Sequence, residues 1–146
     1  MKNRYLTATV FLLGILLAAA GPAPAQQVFE QKDLEGSWVI YLYGAYETKT
    51  EHMYGVFYLN GGGTLTDGTN TYRGSAGAFL AGQLAIDANG LVSGYLQIET
   101  WAIRMDFIRA QMDQSKTEVT GFVTGQWYPC LIRMVKVGGE PAGEDS

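Results

Sequence analysis

The sequence predicts an all-β fold, an antiparallel up-and-down meander of about eight strands that closes into a barrel. Three observations predict it. Nineteen glycines and nine tyrosines stand among 146 residues, and signals for helix starts and stops are few. Apolar and polar residues alternate with period two, most clearly over 91–99, where Val92, Gly94, Leu96 and Ile98 face one way and Ser93, Tyr95, Gln97 and Glu99 the other. Turn signals recur at hairpin spacing and leave no length for a crossover helix.

The elements follow in order. The first strand is expected over 37–44 and the second over 52–60, with Gly61-Gly62-Gly63 allowing a sharp bend before Thr64-Leu65-Thr66. Asp67-Gly68 reads as a further turn, after which 69–74 continues the β pattern. A strand over 78–86 pairs with 91–99 through Asp87-Ala88-Asn89-Gly90, whose Asn-Gly pair tolerates the positive φ of a tight hairpin. Segment 101–112 carries two signals. Trp101, Met105, Ile108 and Met112 fall at helical spacing, while Ile103, Met105 and Phe107 alternate with Ala102, Arg104 and Asp106. Flanking polar turns at hairpin distance favour strand. Asp113-Gln114-Ser115-Lys116 then turns the chain into 117–124, and Gly125-Gln126-Trp127 leads to a last strand over 128–137.

Ahead of the barrel, residues 1–25 read as an export signal. Lys2 and Arg4 form a positive start, an apolar run covers 10–20, and Ala23-Pro24-Ala25 offers the small-x-small cleavage site. The expectation is a periplasmic or secreted protein beginning near Gln26, with one domain over 26–137 and a solvated acidic tail over 138–146. No Cys follows the cleavage region, so no lipid anchor is expected. No second apolar run reaches the roughly 18 residues of a spanning helix. The chain holds ten basic and fourteen acidic residues; two of the basic ones lie in the leader, so the mature domain is more acidic than the whole. A nucleic-acid partner needs a basic field, and the sequence supplies none. Cys130 is the single cysteine, which rules out an internal disulfide and suits a small buried hydrophobe.

Gly36-Ser37-Trp38 opens the first strand, after Phe29 and Asp33-Leu34. On these residues the chain resembles the lipocalin/calycin group of small-ligand barrels, whose first strand starts with a G-x-W; in length it is nearer the compact avidin-like barrels. The resemblance implies a basic residue on the final strand packed over the Trp, and Arg133 lies where that residue would be. It departs from the group after Thr66-Asp67, where Gly68 stands instead of an aromatic.

Other chemistry finds little support. Asp87-Ala88-Asn89-Gly90 lacks the ligand count and closing Glu of a calcium loop. His52 is the lone histidine, so multi-His metal sites are excluded, and no nucleophile elbow accompanies it. No catalytic residue, metal or cofactor is expected. Tyr41, Tyr43, Tyr54, Tyr58 and Tyr95 fall opposite the core set (Trp38, Ile40, Leu42, Phe57, Leu59, Val92, Leu96, Ile98), which predicts an aromatic outer wall suited to an interface. Two functions follow as expectations. The first is a non-enzymatic barrel holding a small apolar ligand in its mouth, framed by Trp38 and Arg133. The second is an interaction module whose Tyr-rich wall meets an envelope protein or a second copy.

Overall fold

The computed structural model describes residues 27–138. The expected leader lies outside them, as does the acidic tail apart from Gly138. A 3-10 turn, Gln31–Leu34, precedes β1 (Gly36–Tyr46), β2 (Lys49–Leu59), β3 (Leu65–Tyr72), β4 (Ser75–Ile86) and β5 (Leu91–Ile98). A second 3-10 turn, Thr100–Ala102, leads to β6 (Arg104–Met112), β7 (Glu118–Thr124) and β8 (Pro129–Gly138). Each strand pairs with the next, and β8 returns antiparallel to β1, so the eight strands form a closed barrel. Closure satisfies both would-be sheet edges at once.

The expected inward set is buried throughout: Trp38, Ile40, Leu42, Phe57, Leu59, Val92, Leu96 and Ile98. Three boundaries differ from expectation, each for a local reason. The β1–β2 hairpin runs on to Tyr46 opposite Lys49, because its two-residue turn, Glu47-Thr48, contains no glycine or asparagine to announce it. Asp67-Gly68 is no turn but lies inside β3. Gly68 is there for room: a Cβ added to it would run into Phe57 and Phe79 of the core. The true β3–β4 turn is Arg73-Gly74, with φ of 50° and 85°, the positive pair that a tight hairpin requires. Segment 101–112 is strand from Arg104 onward, with its first residues in the second 3-10 turn.

The first 3-10 turn closes one end of the barrel. Leu34 and Trp38 are both fully buried there, and the Trp38 indole Nε1 donates to the Leu34 carbonyl at 2.7 Å. This bond gives the one polar atom of a large apolar side chain a partner, so the indole sits in the core without an unpaired donor. The opposite end gathers the β1–β2, β3–β4 and β7–β8 turns with the second 3-10 turn. That end carries the chemistry.

Candidate functional site

Inward positions of β2 and β3 alternate as expected until they approach this far end. There the phase that holds Met53, Phe57 and Leu59 continues into Glu51, and the phase that holds Tyr72 includes Asn70. Glu51 is fully buried and Asn70 is 4% exposed. They are the two buried polar or charged residues among those described.

Glu51 sits in a recess that glycine makes possible. A Cβ at Gly125 would collide with the Glu51 carboxyl group, and one at Gly44 would crowd Cys130 Sγ. In that recess the Trp127 backbone N–H donates to Glu51 Oε1 at 3.0 Å, and the Cys130 thiol donates to Oε2 at 3.0 Å. Burial, reinforced by this hydrogen bond, pushes the Cys130 thiol up to about 12. It therefore stays protonated and serves as a donor rather than a nucleophile.

Tyr72 faces the same space. Its phenol is raised above the ordinary tyrosine range, first by burial and then by the negative charge of Glu51. Although it feels that carboxyl group, the hydroxyl forms no hydrogen bond of regular geometry. Neither the amide nitrogen nor the amide oxygen of Asn70 has a partner. Asn70 lies between Gly55 on β2 and Gly77 on β4, so its immediate neighbours on the inner face carry no side chain to meet it. Across the barrel, β5, β6 and the link between them contribute Ile98, Ile103 and Met105, all buried. The interior at this end is thus polar on one side and apolar on the other.

Aromatic residues form the rim. Trp101 meets Tyr72 edge to face with ring centroids 5.8 Å apart. The Arg73 guanidinium carbon lies 5.5 Å from the Trp101 ring centroid and 4.7 Å from that of Trp127, between the two indoles. Lys49 Nζ approaches the Trp127 ring at 5.3 Å. Beside this rim a hollow of about 240 Å³ opens among Thr124, Gly125, Gln126, Trp127, Tyr128 and Pro129. Trp101 and Ala102 hold positive φ of 56° and 52°, a strained backbone for residues with side chains.

The residues expected to frame a ligand are not brought together here. Trp38 lies at the opposite, closed end, and β8 sets Lys136 across from it while Arg133 faces Tyr41. Lys136 is the cation over the indole, with Nζ 5.3 Å from the ring centroid and donating to the Asp33 carbonyl at 2.9 Å. Arg133 is on the outer wall, bonded to both carboxylate oxygens of Glu118 at 2.9 and 3.0 Å. The physical reason is register: Arg133 is out of phase with the inward residues Ile132 and Met134.

Of the expected wall, Tyr41, Tyr43 and Tyr54 come together on β1 and β2, exposed, with Tyr41 and Tyr54 in ring contact at 5.3 Å. Tyr58 is half-buried nearer the closed end, and Tyr95 lies on β5 under the Arg104 guanidinium at 3.8 Å. The site residues missed by sequence reasoning are Glu51, Asn70 and Tyr72. The signal that marks them is a polar group standing in the inward phase of a strand whose other inward residues are apolar. In comparisons with known proteins, the chain matches no family model, and no curated protein or solved structure is significantly similar to it.

Proposed function

We propose that this chain is an exported, non-enzymatic barrel of lipocalin-like form that binds a small molecule at the end bounded by Tyr72, Arg73, Trp101 and Trp127. One observation carries the reading: Asn70, 4% exposed, has no partner for either amide atom. Leaving such groups unpaired costs about 1–3 kcal/mol each, a burden that a stable core would shed by using an apolar residue. A ligand that both donates and accepts hydrogen bonds would relieve it, with its apolar part against Ile98, Ile103 and Met105. Because Glu51 and Tyr72 are covered, access requires the rim to part, and the strained second 3-10 turn is the element suited to move.

The test is native mass spectrometry of protein isolated from its own compartment, compared with an Asn70→Val variant. The expected wild-type protein retains a small molecule. The variant loses it while becoming more stable, by about 1–3 kcal/mol, since the two unpaired amide atoms of Asn70 are gone. A wild-type protein without any bound molecule, or a variant that retains as much, would overturn the reading.

A second reading has its own support. Tyr41, Tyr43 and Tyr54 continue across β8 and β7 into Leu131, opposite Tyr43, and Phe122, opposite Leu131. All five are exposed. An apolar band crossing four neighbouring strands suits a protein-interaction face.

A further inference from the structure

The reading of this end as a ligand site leaves the ligand's charge open, and three features bear on it. Glu51 is fully buried, yet the four ion pairs formed among the described residues leave it out. Its two oxygens receive one backbone N–H and one weak thiol donor, with the Tyr72 hydroxyl close by, whereas a carboxyl group's two oxygens offer about four acceptor sites. A buried acidic group so lightly satisfied is stabilised by a cation more than by any neutral group.

The Tyr72 hydroxyl is near enough to feel the Glu51 carboxyl group, and Asn70 Oδ1, farther along the same inner face, is an unused acceptor. Above them the slot between Trp101 and Trp127 already holds a cation, the guanidinium of Arg73, against both indole faces. Aromatic faces attract cations through their quadrupole, most strongly where water is displaced.

We infer that the ligand carries a small organic cation, an ammonium-type head group received by Glu51 beside Tyr72 under the two tryptophans, and that Arg73 is the internal occupant it displaces. This inference rests on the reading above, that this end binds a small molecule. Arg73 and Lys49, the rim cations, oppose an incoming positive charge from outside. Removing Arg73 should therefore strengthen binding of a cation. An anion would show the reverse, because Arg73 would then be its partner.

The experiment uses three probes of equal length and differing charge: butylammonium, butan-1-ol and butyrate. Each is titrated into the mature protein, Arg73→Ala and Glu51→Gln, with calorimetry and tryptophan fluorescence as readouts and circular dichroism to verify folding. The expected result is butylammonium binding roughly fivefold tighter than butan-1-ol, a charge-assisted contact being about twice as strong as a neutral one. Arg73→Ala should tighten butylammonium further, and folded Glu51→Gln should lose the preference for charge. If butan-1-ol or butyrate binds as well as butylammonium, or if Arg73→Ala weakens the amine, the cation inference fails while the ligand site stands. If none of the three binds either the wild type or Arg73→Ala, both fail.

Discussion

Cys130 shows how much one position depends on what packs around it. In sequence it is a lone cysteine before Leu131-Ile132, and burial follows from that apolar setting. Its partner does not, because Glu51 lies on a strand distant in sequence and only the closed barrel sets the two side by side. The thiol's raised pKa, about 12 against an ordinary value near 8.5, has a defined consequence for pH. The folded state holds this proton when the unfolded chain has released it. The contribution is therefore complete below about pH 8.5 and is lost as pH rises toward the folded value. Urea midpoints measured between about pH 8 and 11 should fall more steeply for wild type than for Cys130→Ala. Tyr72, raised as well, should leave the variant a residual slope at the upper end of that window. Equal slopes would show that the thiol is not held protonated, and rapid labelling of the folded protein by a thiol reagent would show the same. Asn70 and Glu51 were legible in principle, since each is a polar residue in an apolar phase. Pattern alone cannot tell an inward polar group from a shifted register, and the Glu47-Thr48 turn before Glu51 carries no glycine or asparagine to fix the phase.

At the scale of elements, the first 3-10 turn and the start of β1 act as one unit. Leu34 supplies the acceptor for Trp38, and Lys136 covers the indole while bonding the Asp33 carbonyl. Trp38→Ala should cost about 3–5 kcal/mol in chemical denaturation; a loss under about 1 kcal/mol would mean that the floor collapses to refill the space. Most strands were readable because the inward phase survives along them. Strand β6 was the hard case, and its bulge explains why. The register with β7 shifts between Phe107 and Arg109, so the inward set passes from Met105 and Phe107 to Ala110 and Met112. A strand with one extra residue thereby imitates helical spacing over 105–112. Ile108, which would be inward in a helix, is 56% exposed. The basic residue over Trp38 is Lys136, three positions beyond Arg133, because the β1–β8 register that picks it is not written in either strand alone.

Across the whole molecule the inner and outer faces have different characters: an apolar interior that turns polar at one end, and an outer wall with a band of exposed aromatic and aliphatic groups over β2, β1, β8 and β7. If that band is an interaction face that also serves self-association, light scattering at increasing concentration should show a rising mass. Paired Tyr43→Lys and Leu131→Lys changes should abolish it without altering thermal stability. A strictly monomeric wild type that also recovers no envelope partner would remove the second reading of function. The pairing of β1 with β8 carries a different consequence, one of timing. Every other strand finds its partner next to it in sequence, through short turns that close quickly. The seam between Ser37 and Gly138 joins the two ends of the described chain, and no part of the sheet can substitute for it. Of all the strand pairings, this one carries the largest loop-closure cost. Without β8 in place, β1 and β7 would both expose open edges able to pair with another chain, so any opening of this seam exposes the barrel to aggregation.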